Sequence, residues 1–169
     1  MTDFVHLHLH TEFSLLDGAC RVDELLDQVA RLGQTSVAVT EHGNMFSSVV
    51  FHDAARKRGI NPILGCEVYV APGSRLDKSG TPGETANHLV LLAENEIGFK
   101  NLIKLVSSGY TEGFYYKPRI DKALLARHAQ GLIGLSSCLK GEVASEIRGP
   151  NPSKAIAAAS QFQDILGKG

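Results

Sequence analysis

The sequence has no basic excess, no long apolar run and too few cysteines for a disulfide framework, and each absence excludes a class of protein. Its 17 Lys and Arg face 18 Asp and Glu, a formal net charge of −1. A surface that grips nucleic acid by charge alone carries a basic excess instead. No apolar stretch approaches the ~18 residues of a membrane span, and the opening MTDFVHLHLH lacks the basic and apolar regions of a signal peptide. Three cysteines, an odd number at scattered spacing, do not staple a small secreted fold. Repeats and low-complexity tracts are missing too. What remains is an ordinary globular balance, 43% hydrophobic and 21% charged, which excludes disorder. At 169 residues the chain falls within the roughly 100–200 of one domain. The expectation is one soluble, cytoplasmic domain with no membrane partner.

Histidine breaks the ordinariness. Of seven, three fall within five residues: His6, His8 and His10. Period-two patterning predicts strands over Phe4–Leu9, Ser36–Thr40, Pro62–Ala71, His88–Ala93 and Gly131–Ser136. Helical patterning predicts Val22–Leu32, closed by Gly33, then Phe46–Arg58, Asn95–Ser108, Lys122–His128 and Ser153–Leu166, with a helical turn at Glu142–Arg148. Pro72–Ala86, rich in Gly, Pro, Ser and Thr, reads as an exposed loop. Strands separated by helices imply an α/β fold with five parallel strands, either an open sheet or a β/α barrel. In both, chemistry gathers at the carboxyl ends of the strands.

Metal-type ligands recur at those ends. His8 and His10 stand two apart, so a strand turns both imidazoles to one face. Asp17 follows in a turn, and His42 lies just past the second strand. Glu67 interrupts an apolar run, where a carboxylate is costly without a cation or a hydrogen-bonding partner. His88 heads the fourth strand and Cys138 follows the fifth. Taken singly, each has a plainer reading. His52 and His128 read as ordinary helix residues, Cys20 and Cys66 as small apolar fillers, with Cys66 on the strand face opposite Glu67. The recurrence along one rim is what points to metal. Imidazole, carboxylate and a possible thiolate suit zinc, manganese or iron better than calcium or magnesium. Seven candidates exceed the four ligands of a closed structural zinc, so two or three ions are expected, an arrangement suited to phosphoester hydrolysis.

FVHLHLHTEFSLLDG, TEHGN and the Glu67 strand resemble the opening motifs of the PHP (polymerase and histidinol phosphatase) superfamily. SLLDG, TEHGNMF, GCEVYVAPGSR, HLVLLAENEIGFKNLIKLVS and GFYYKPRID resemble, more narrowly, the PHP domains of bacterial replicative DNA polymerase III alpha subunits. The resemblance implies a distorted seven-stranded β/α barrel with His8, His10, Asp17, His42, Glu67, His88 and Cys138 as metal ligands. It implies 3′–5′ exonucleolytic hydrolysis by a metal-activated water, with no protein acid or base assigned. DNA 3′ ends, the rest of the polymerase subunit and other replisome subunits are the implied partners, in a bacterial cytoplasm. Lys117 and Arg119 are candidate phosphate contacts. The family's late Asp-x-His pair does not occur in these 169 residues. The expectation is therefore the first part of such a domain, 1–169, without the polymerase catalytic domains, of doubtful activity alone and prone to self-association through an unpaired strand edge. The alternatives are a metal-braced structural domain and a free phosphatase of the histidinol-phosphate type.

Overall fold

The computed structural model describes residues 4–15, 17–81 and 86–167. Its elements run α1 (Val22–Arg31), β1 (Ser36–His42), α2 (Ser48–Lys57), β2 (Asn61–Val70), β3 (Asn87–Ala93), α3 (Glu96–Thr111), β4 (Arg119–Ile120), α4 (Lys122–Arg127), β5 (Leu132–Leu135), α5 (Glu142–Arg148) and α6 (Ser153–Leu166). The helices begin and end where local chemistry directs. Asn95 and Asp121 cap α3 and α4 by accepting from the amides of Gly98 and Leu124, which satisfies donors left over in a first helical turn. Gly33, at φ 69°, turns the chain out of α1, a conformation that disfavours any residue with a Cβ.

The fold is α/β with a five-stranded sheet, but the sheet is mixed. Its order is β1-β2-β3-β5, with β4 also on β2. β1 and β4 pair with β2 in parallel, whereas β2–β3 and β3–β5 are antiparallel. The all-parallel expectation is thus corrected, and the reason is visible in the connections. Among the described residues between β2 and β3 no helix carries the chain back to the starting end. Residues 82–85 of the expected Pro72–Ala86 loop lie outside the described residues. The expected strand at Phe4–Leu9 is also corrected. That segment runs beside β1, where Ala38 N and Thr40 N donate to His6 O and Leu9 O, without forming a regular ladder. The fifth strand is instead the short β4.

Alternation divides each strand between two faces. Val37 and Val39 of β1 pack outward with Val22, Leu26, Val29 and Phe51 of α1 and α2. Cys66, Val68, Leu89 and Leu91 of β2 and β3 pack outward with Leu102, Leu105 and Leu125 of α3 and α4. The opposite face carries a smaller cluster, Ala38, Val90 and Leu92, and beyond it the polar residues of the site. Among the described residues no helix is long and apolar enough to cross a membrane.

Candidate metal centre

Glu67 is the pivot. It occupies β2 at the level of His42 in β1 and Val90 in β3, and only 1% of its surface is exposed. Its Oε2 lies 2.6 Å from His8 Nε2, 3.1 Å from Ser137 Oγ and 3.9 Å from His10 Nε2. Its Oε1 lies 2.8 Å from His42 Nδ1 and 2.6 Å from His88 Nδ1. Two triads result, His8–His10–Glu67 and His42–Glu67–His88, each with its ligand atoms within 4.8 Å of one another. One carboxylate is common to both.

The donors fit divalent cations better than they fit one another. Glu67 Oε1, His42 Nδ1 and His10 Nδ1 are buried and none makes an aligned hydrogen bond among the described residues, although Oε1 has two imidazole nitrogens inside 3 Å. Buried polar atoms are rarely left so. Atoms that crowd together out of line for proton sharing are arranged as ligands of a third body are. Imidazole and carboxylate donors suit zinc, manganese or iron. Electrostatics agree. Burial pushes the Glu67 carboxyl up, but His42, His8 and His88 outweigh it and hold the group far below the usual carboxylate range, so it is an anion. The same carboxylate raises His42 against the effect of burial. His10 is lowered, first by burial and then by the neighbouring His42, whose ring stacks on it at 3.8 Å. A neutral imidazole is the form that binds metal.

A second buried carboxylate holds this arrangement in place. Glu41, 1% exposed, accepts from Thr11 N at 3.0 Å, Ser47 Oγ at 2.9 Å and the hydroxyls of Thr11 and Ser14. Ser14 Oγ in turn accepts from His42 N at 3.0 Å. Glu41 thus ties the segment after His10 to the strand end that carries His42. The sequence reading passed it over, although a carboxylate in the buried run SVAVTEH is the same signal that singled out Glu67. Gly43, at φ 63°, then turns the chain sharply, and a Cβ there would meet the Tyr69 ring at 2.8 Å and Pro118 at 2.9 Å.

Other predicted ligands gather at the same rim. Asp17, largely exposed, places Oδ2 3.0 Å from His42 Nε2. Cys138 Sγ is 3.7 Å from His88 Nδ1. Lys117 sets its ammonium 5.1 Å from the centroid of Tyr69, the ring that lies edge-on to His88. Arg119 is placed differently. It is 2% exposed, and its guanidinium donates to the carbonyls of Gly113, Arg75 and Asp77, so it braces a loop from within. His52 pairs with Asp53 on α2, away from the cluster. Cys66 is buried on the face opposite Glu67, where burial raises its thiol and favours the neutral form.

Comparison with known proteins places this geometry. Residues 6–169 match the PHP domain family. The DNA polymerase III subunit alpha of Treponema pallidum is 47% identical over 97% of the chain, that of Aquifex aeolicus 45% over 98%, and that of Mycobacterium tuberculosis 42% over 98%. The chain spans only 14–15% of the length of these relatives. Among solved structures, an amidohydrolase from Chromobacterium violaceum overlaps at a TM-score of 0.46 with 23% identity, covering 96% of this chain and 49% of that one. A candidate metal-dependent phosphoesterase from Bifidobacterium adolescentis overlaps at 0.45 with 19% identity, covering 62% and 32%. These two overlaps are too loose to bear on function. The family match and the identity to the polymerase subunits do decide: this chain belongs to the PHP domain family.

Proposed function

We propose that this chain is a metal-dependent phosphoesterase module of a bacterial DNA polymerase III alpha subunit, which hydrolyses DNA phosphodiesters from a 3′ end. The observation that carries the reading is the sharing of Glu67 by two ligand triads, because hydrolysis of phosphate esters by paired ions needs both held a few ångströms apart. His8, His10, Glu67, His42 and His88 would hold the ions, with Asp17 and Cys138 at the margins. Bound there, divalent cations supply Lewis acidity toward phosphoryl oxygen and an acidified water. The protein's own part is placement. Glu41 fixes the two ligand segments against each other, Tyr69 lies edge-on to His88, and Lys117, over the Tyr69 ring, would receive a phosphate oxygen. The remainder of the polymerase subunit and other replisome subunits are the proposed partners.

The test is release of nucleotide from a 3′-labelled single-stranded oligonucleotide with manganese or zinc, beside a small phosphate monoester. Preference for the oligonucleotide, lost in Glu67→Gln, is expected. Preference for the monoester would indicate a free phosphatase instead. A second reading, a metal-braced structural domain, draws on the same buried cluster, since metal binding also contributes folding energy. Metal-dependent melting without hydrolysis of either substrate would select it.

A further inference from the structure

Beside the metal centre, residues 114–117 form a feature that hydrolysis alone does not explain. Tyr116 has φ 57°, a left-handed conformation uncommon for a residue with a side chain and costly for a bulky one. The turn is pinned by Tyr115 N donating to Lys117 O at 3.0 Å. Tyr115 is itself fixed, its hydroxyl donating to Gly80 O at 3.1 Å and its ring lying 5.1 Å from the Arg119 guanidinium. The Tyr116 ring rests on Tyr115 at 4.5 Å, yet Tyr116 is 54% exposed. Strained backbone therefore holds a large ring in water, against the ordinary drive to bury it. The next residue, Lys117, lies over the ring of Tyr69, which in turn meets a ligand ring edge-on. Its Nζ is 5.1 Å from the Tyr69 centroid, and that centroid is 5.1 Å from the His88 ring.

We propose that Tyr116, backed by Tyr115, is a stacking platform for a base of single-stranded DNA near its 3′ end, with Lys117 on the adjoining phosphate. The inference rests on reading the metal centre as a DNA phosphoesterase, and adds how the strand is held. A single strand is the form whose base faces are free to stack. With a net charge of −1 the chain has no general attraction for a polyanion, so the hold on the strand has to come from base contacts supplemented by a local cation. Base–aromatic stacking supplies such a hold without regard to sequence.

The test is anisotropy of a 5′-labelled oligonucleotide with metal-free protein, so that nothing is cleaved. Tyr116→Gly keeps the left-handed turn, which glycine adopts freely, and removes only the ring. It should weaken binding by roughly tenfold or more, while Tyr116→Trp restores it. With abasic residues in the last three positions, the loss in Tyr116→Gly should vanish. Equal binding of wild type and Tyr116→Gly to the intact strand, or no binding by wild type, overturns the platform. The phosphoesterase reading is judged separately, by hydrolysis. A base-dependent loss in a chain that hydrolyses no DNA would keep the platform and overturn that reading.

Discussion

His42 Nδ1 and Glu67 Oε1 lie 2.8 Å apart, and neither makes an aligned hydrogen bond among the described residues. The carboxylate attracts a charged His42, yet the two atoms are out of line for sharing a proton, a placement in which one cation can take up both. The same oxygen faces His88, and the other oxygen of the carboxylate faces His8. Substitutions at the shared and unshared ligands should therefore differ. Glu67→Gln is expected to lose ions from both triads, His10→Ala from one. Metal analysis after dialysis checks this, and equal retention by both variants would contradict the assignment.

Glu41→Gln tests the support beneath the ligands. The amide keeps one acceptor oxygen but turns an NH2 toward donors that the carboxylate satisfied, among them Thr11 N and Ser14 Oγ. Unsatisfied buried groups cost about 1–3 kcal/mol each, and loss of a group that orients ligands lowers metal affinity by about 10–100-fold. A lower melting temperature together with weaker cobalt binding is expected in titrations followed by visible absorption. Unchanged affinity would restrict Glu41 to stability.

Much of this was legible in the sequence, and the failures have physical causes. Helix α6 has the expected bounds and the β2 range is offset by one residue, because apolar period and turn residues are local properties. Strand direction is not local. Period two reads the same for parallel and antiparallel pairs, so the reversal of β3, which runs against β2 on one side and β5 on the other, was not legible, although the stretch before β3 without a described helix was a usable clue. Glu67 was found because a carboxylate in an apolar run demands a partner. Glu41 met the same criterion, but it stands next to His42 and points to the opposite face, where it binds hydroxyls. Arg119 shows the converse error. A basic side chain in the segment YYKPRID suggested a phosphate contact, whereas folding turns its guanidinium onto three carbonyls.

Asp121 gives a pH prediction away from the metal. Burial pushes its carboxyl up, but the amides of Arg75 and Leu124 and the Arg75 guanidinium outweigh that and hold it below its ordinary value. A depressed carboxyl contributes stability above its unfolded pKa, about 3.9, and loses it as pH falls through the lower folded value. Asp121→Ala should cost about 1–3 kcal/mol near neutrality. The gap between its melting temperature and that of wild type should close as pH drops below about 4. A gap independent of pH would show that shape, not charge, is what Asp121 contributes.

The most direct measurement is an anomalous difference map from a crystal of the chain soaked in manganese or zinc. Two peaks are expected on opposite sides of Glu67, one shared with His8 and His10 and one with His42 and His88, each about 2.0–2.2 Å from a carboxylate oxygen. A fully loaded crystal with no peak in contact with Glu67, its ions bound elsewhere on the surface, would contradict the shared-carboxylate centre and the chemistry inferred from it.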